Sequence, residues 1–215
     1  MDFSAARVNM VQSQLVPNRV YDESLLESVR TIPRESFVDP RYQEVAYSDY
    51  AVPLGDARCI LKPVQSALMI QAMQVLPGQK VLVVGAGTGY EAMVLARVGA
   101  RVFALESDTA LAARGQELTR GMAVEWKIAS MELAWAEAAP FDAILFCGAV
   151  PVVPSKAVGL LADQGRLVAI LGKTGDRVMQ VVRLVGRVRS DFPERLFETQ
   201  APVLPGFEDK KAFQL

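Results

Sequence analysis

Residues Val81-Leu82-Val83-Val84-Gly85-Ala86-Gly87-Thr88-Gly89-Tyr90 decide the fold. An apolar run rich in valine, bounded by glycine, reads as a short buried strand. The glycines follow at its carboxyl end, where missing side chains let the backbone turn tightly and let a ligand approach it. A helix starting at Tyr90 would offer free N–H groups and the positive end of its dipole to that ligand. A purely structural turn could carry the same residues, so the loop needs support from its surroundings.

Further short apolar strands are expected over 102–105, 123–128, 143–146 and 166–171, with helices over 90–98, 109–120 and 154–162 between them. That alternation predicts a parallel, doubly wound sheet. Two last strands near 177–186 and 196–203, with little helix between them, predict an antiparallel edge. Upstream, Val8, Val11 and Leu15 suit one face of a helix over 4–16, broken at Pro17-Asn18. Asp22 suits the N-cap of a helix carrying Leu25, Leu26 and Val29, which ends before Pro33. Residues 34–62 read as irregular, and a helix is expected from Pro63. The chain thus divides into an N-terminal helical and irregular extension, 1–62, and an α/β core, 63–215.

The 215 residues are 51% hydrophobic and 22% charged, with a net charge of −1, which suits a large buried core. The balance argues against a general nucleic-acid binder, which needs clustered Lys and Arg. Arg183, Arg187, Arg189 and Arg195 read instead as a solvated strand edge. Cys59 and Cys147 fit no zinc spacing and read as buried free thiols. Residues 1–10 show no signal-peptide core, and no apolar run reaches the roughly 18 residues of a membrane span, so a cytoplasmic protein is expected. The chain has no histidine, which excludes imidazole bases and His-ligated metals; no metal site is expected.

The loop spacing is G-x-G-x-G followed by Tyr90. A dinucleotide fingerprint, G-x-G-x-x-G, would place glycine at position 90. Tyrosine there, and the lack of a histidine acid, favour S-adenosylmethionine over NAD and a methyl transfer over a dehydrogenation. Glu106 ends the second strand of the core 21 residues past Gly85, where an acidic residue takes ribose hydroxyls. An ordinary surface glutamate at a strand end is the alternative. The stretch Cys147-Gly148-Ala149-Val150-Pro151 ends the fourth strand and is a candidate pocket wall, whereas Phe141 and Asp142 read as a turn fixing strand entry.

The order of blocks resembles the protein-L-isoaspartate O-methyltransferase family along nearly the whole chain. Asn9-Met10-Val11 with Gln14-Leu15 looks like the family's first helix, and Ile32-Pro33-Arg34-Glu35-Ser36-Phe37-Val38 like its P-R-x-x-F-V turn. Ala46-Tyr47, Pro53-Leu54-Gly55, the glycine loop, 139–145 and Gln164-Gly165-Arg166-Leu167-Val168 continue it in order. The resemblance implies a three-layer Rossmann-like methyltransferase fold, with a mostly parallel seven-stranded sheet and an antiparallel edge. It implies methyl transfer from S-adenosylmethionine to the carboxylate of an isoaspartyl residue, with a protein or peptide as partner. By resemblance, Gly85, Ala86, Gly87, Thr88, Gly89, Tyr90, Glu106, Ser107, Ser130, Met131 and Cys147 would line the donor site. Leu61 and Lys62 would face the acceptor.

Three positions depart from the family pattern. Leu61 stands where the family has serine, Val83 where it has an acidic residue, and Ala129-Ser130-Met131 where it has G-D-G. Each polar contact is worth about 0.5–1.5 kcal/mol net. Two or three such losses would weaken donor binding by one to a few factors of ten. A methyltransferase with another acceptor, or a silent binding protein on the same scaffold, would share these residues.

Overall fold

The computed structural model describes residues 1–55, 58–133, 135–186 and 193–208. Asp2 caps the first helix, α1 (Phe3–Met10), by accepting from Ser4 N and Ala5 N. A wider π-helical turn follows over Val11–Leu15. That turn shifts the angular phase of the helix. Val11 and Leu15 are therefore buried while Val8, expected on the same face, is exposed. Asp22 caps α2 (Glu23–Thr31) through Leu25 N at 3.0 Å, as its side chain predicts. Residues 34–62 hold two 3₁₀ turns, Arg34–Phe37 and Pro40–Val45, and a small hairpin of β1 (Val52–Gly55) and β2 (Arg58–Ile60). Pro63 opens α3 (Pro63–Met73), where its missing N–H costs no helical bond.

The core then alternates β3 (Lys80–Val84), α4 (Tyr90–Arg97), β4 (Arg101–Glu106), α5 (Thr109–Leu118) and β5 (Val124–Ile128). Next come β6 (Phe141–Val150), α6 (Ser155–Gly159), β7 (Leu161–Leu171), β8 (Met179–Val185) and β9 (Glu194–Thr199). The seven strands of the main sheet lie in the order β5-β4-β3-β6-β7-β8-β9. The first five are parallel, while β8 and β9 form the antiparallel edge. This is the three-layer Rossmann-like methyltransferase fold. Side chains alternate across it: Val81 and Val83 join one buried cluster, and Leu82 and Val84 join the other.

Two expected elements are shorter than the sequence suggests. The helix expected over 154–162 stops at Gly159, because Leu161 pairs with Phe141 in the sheet and both are fully buried. The strand expected over 196–203 stops at Thr199. Beyond it the chain crosses to β6, where Ala149 N donates to Pro202 O at 2.8 Å and Leu204 N to Ala149 O at 2.9 Å. Of the arginines read as a solvated edge, Arg183 pairs with Glu194 at 2.6 Å and Arg195 is exposed. Arg187 and Arg189 lie outside the described residues, as does the tail past Glu208. No helix among the described residues is long and apolar enough to cross a membrane.

The N-terminal helices share the first buried cluster with the sheet. Arg34, fully buried, ties them to it. Its Nε donates to Ala46 O at 2.7 Å and its Nη2 to Leu61 O at 2.6 Å, with the guanidinium 4.7 Å from the Tyr90 ring centroid. Replacing it leaves two carbonyls buried without donors. Arg34→Met is expected to destabilise the protein by about 3 kcal/mol, read as a lower urea midpoint with an unchanged slope. A midpoint within error of the parent would show that these bonds contribute nothing net.

Candidate functional site

Strand order reverses between β3 and β6, and ligands of open α/β sheets bind outside the carboxyl ends at such a point. The glycine turn occupies it. Gly85, Gly87 and Gly89 have φ of 74, 57 and 88°, values that side-chain-bearing residues rarely adopt. Gly85 N and Ala86 N both donate to Leu105 O, fastening the turn to β4.

Glu106 closes the arrangement. It is fully buried, not the surface glutamate of the alternative reading. Its Oε2 accepts from Gly87 N at 2.7 Å, and its Oε1 from Ser107 N at 2.8 Å and Asp108 N at 3.1 Å. Oε2 also accepts from Arg58 Nη2 at 2.5 Å, in an ion pair whose side chains are 4% and 0% exposed. Loop and carboxylate are thus joined by a hydrogen bond, with a guanidinium already on the carboxylate.

The other expected site residues divide. Ser107 and Ser130 are exposed beyond β4 and β5, whereas Ala86 and Met131 are buried. The Thr88 hydroxyl donates to Phe37 O at 2.6 Å, and the Tyr90 ring packs edge-on to Phe37 and under Arg34, so both side chains serve the N-terminal extension. Cys147 is buried within the first cluster, and burial pushes its thiol well above the usual range. Leu61 is buried too. Lys62, half-buried, lines two cavities of about 510 and 660 Å³, one beside Gln65 and Asp49, the other beside Ala51, Gln200 and Val203. Val83 is fully buried in the first cluster, where an apolar side chain packs without a polar partner. Phe141 and Asp142 are not the turn expected from the sequence but the first two residues of β6, because Phe141 is buried and pairs with Leu161. Asp142 accepts from Lys80 N at 2.8 Å and so ties the start of β6 to β3.

The family model of protein-L-isoaspartate(D-aspartate) O-methyltransferase matches residues 6–192. The chain belongs to the protein-L-isoaspartate O-methyltransferase family. The member from Methylorubrum extorquens is 41% identical over 91% of this chain and 86% of its own length. One from Syntrophobacter fumaroxidans is 38% identical over 86% of each. Among solved structures, a protein-L-isoaspartate O-methyltransferase superposes with a TM-score of 0.82 at 21% identity, covering 94% of this chain and 67% of that one. One from Plasmodium falciparum, described as putative and solved with S-adenosyl-L-homocysteine, gives 0.75 at 18% identity over 95% and 98%. At those identities the two structures speak for the fold alone.

Three residues of this family member escape a reading by motif: Arg58, Glu91 and Leu204. Arg34 lies within the P-R-x-x-F-V turn, but its burial against Tyr90 does not follow from that motif. No local pattern links Arg58 to a carboxylate 48 positions away. Glu91 sits in the first turn of α4, buried, accepting from Ser66 Oγ at 3.0 Å. Burial raises its carboxyl above the ordinary 4.5, more than Arg34 lowers it. The folded protein therefore holds this proton more tightly than the unfolded chain. The contribution is full below pH 4.5 and is lost as pH rises through the raised folded value. Glu91→Gln should remove that loss: its unfolding free energy should fall less steeply above pH 4.5 than the parent's. Parallel pH profiles from urea melts would contradict the assignment.

Proposed function

We propose that this chain binds S-adenosylmethionine over the glycine turn and methylates the carboxylate of isoaspartyl residues in proteins or peptides, as a repair reaction in the cytoplasm. The reading is carried by a family match spanning residues 6–192 together with a Gly87–Glu106 bond of 2.7 Å that joins turn and carboxylate at the sheet's switch point.

The residues suit such a donor chemically. The glycine turn offers bare backbone, Glu106 its Oε2 as acceptor for a ribose hydroxyl in place of Arg58, and Ser107 a hydroxyl beside it. Ser130 and Met131 follow the end of β5, and Cys147 lies within β6. In the conformation described, Arg58 and Leu204 fill the space over Gly85, so the donor needs those two side chains displaced. When bound, the donor supplies an electrophilic methyl group. An acceptor carboxylate has a pKa of about 4 and is already ionised at neutral pH. The chain therefore has to position it rather than take a proton from it, and the lack of histidine is no obstacle. Lys62, the cation common to both cavities, is the residue placed to attract that carboxylate. Leu61, buried, has no hydroxyl to offer.

Calorimetry with S-adenosylhomocysteine at up to about 1 mM tests donor binding first. Methyl transfer to an isoaspartyl peptide, beside its aspartyl twin, tests the acceptor. Binding with transfer to the isoaspartyl peptide alone is expected. Equal background transfer to both would sink the isoaspartyl acceptor, and absent binding would remove the enzyme reading altogether. Lys62→Ala should raise KM for the peptide severalfold at an unchanged donor Kd; an unchanged KM would free Lys62 of the role.

A further inference from the structure

The glycine turn is crowded by its own chain. A Cβ built on Gly85 would stand 2.8 Å from Leu204 Cδ2 and 3.2 and 3.3 Å from the two terminal nitrogens of Arg58. One built on Gly87 would stand 2.9 Å from Leu54 Cδ1, and one on Gly148 2.5 Å from Leu204 Cδ2. Glycines at a switch point leave room for a ligand's close approach. Here that room is taken by side chains from the β1–β2 hairpin and from the segment after β9.

Arg58 also takes the carboxylate. A ribose diol and a guanidinium both donate hydrogen bonds, and both need lone pairs of Glu106 as acceptors. Glu106 already accepts from three backbone N–H groups, so its remaining capacity goes to one or the other. The pairing is also incomplete: Arg58 Nε is buried without a hydrogen-bond partner among the described residues. A buried ion pair with an unsatisfied donor keeps part of its desolvation cost, so it is poised to exchange. The hairpin that carries Arg58 favours exchange as well. It forms its own two-stranded sheet, which among the described residues shares no ladder with the main one. Its Arg58 end can therefore shift without breaking that ladder while Val52 and Ile60 stay packed in the first cluster.

Given the glycine turn as donor site, on which this step rests, we infer that Arg58 is a positioning residue that latches the site shut. Its guanidinium holds Glu106 until the donor's ribose replaces it, and Leu204 withdraws with it. Donor affinity is then reduced by the fraction of molecules that are closed.

The latch makes an unusual demand: truncating a buried residue of the site should tighten binding. Arg58→Ala should lower the calorimetric Kd for S-adenosylhomocysteine by about tenfold or more. It should also melt at a lower temperature without ligand and show a larger rise in Tm when ligand is added. Arg58→Lys keeps the charge but loses the fork, and should tighten binding to a smaller extent. Leu204→Ala opens Gly85 and Gly148 from the other side and should tighten it too, so the test survives if Arg58→Ala fails to fold. A residue with a merely structural role would leave Kd unchanged or weaken it, and either result across the folded variants overturns the latch. If neither parent nor variants bind S-adenosylhomocysteine, the donor-site reading falls and the latch with it. If all bind equally, the donor site stands and the latch alone falls.

Discussion

The buried pair of Arg58 and Glu106 is the constraint around which the rest of the site is arranged. A carboxylate at 0% exposure needs compensation close at hand. Glu106 has it from three backbone N–H groups and one guanidinium. Those bonds explain the shape of the turn. Gly87 must present its N–H inward, which its positive φ allows, and Ser107 and Asp108 must curl around the strand end before α5 begins. The same carboxylate therefore shapes the glycine turn and is the group a donor would need.

A second buried arginine sets the other wall. Arg34 reaches from the 3₁₀ turn after α2 to the carbonyls of Ala46 and Leu61 and lies over Tyr90. Thr88 reaches back to Phe37. The extension is thereby fastened to the turn and to the start of α4, and it holds the segment from Leu61 to Pro63 in place. The half-buried Lys62 emerges from that fixed backbone into two cavities. The glycine turn and the backbone of Lys62 thus rest on two buried cations, each bonded to groups far away in the sequence.

The fold was largely legible because its signals are local. Apolar strands, glycine stops and the caps at Asp22 and Pro63 each act over a few residues, and the structure places them accordingly. Element ends were less so. Leu161 belongs to a strand because Phe141 needs a neighbour across the sheet, which no window around Leu161 reveals. In the site, the turn and Glu106 were readable from spacing, but the state of Glu106 was not. Its guanidinium comes from a three-residue strand, and the leucine over Gly85 comes from the segment after the last strand. Thr88 and Tyr90 lie within the motif and yet face the extension, since a motif fixes backbone position and tertiary packing decides where the side chains go. The apolar replacement at Val83 is explained by full burial.

In the latch proposed above, ribose and guanidinium exclude each other at Glu106. A crystal structure of the protein with S-adenosylhomocysteine bound tests it most directly. A ribose hydroxyl on Glu106 and an Arg58 guanidinium moved off it, more than about 4 Å away, are expected. A complex in which donor product lies on the glycine turn while Arg58 stays at its present 2.5 Å from Glu106 would contradict it.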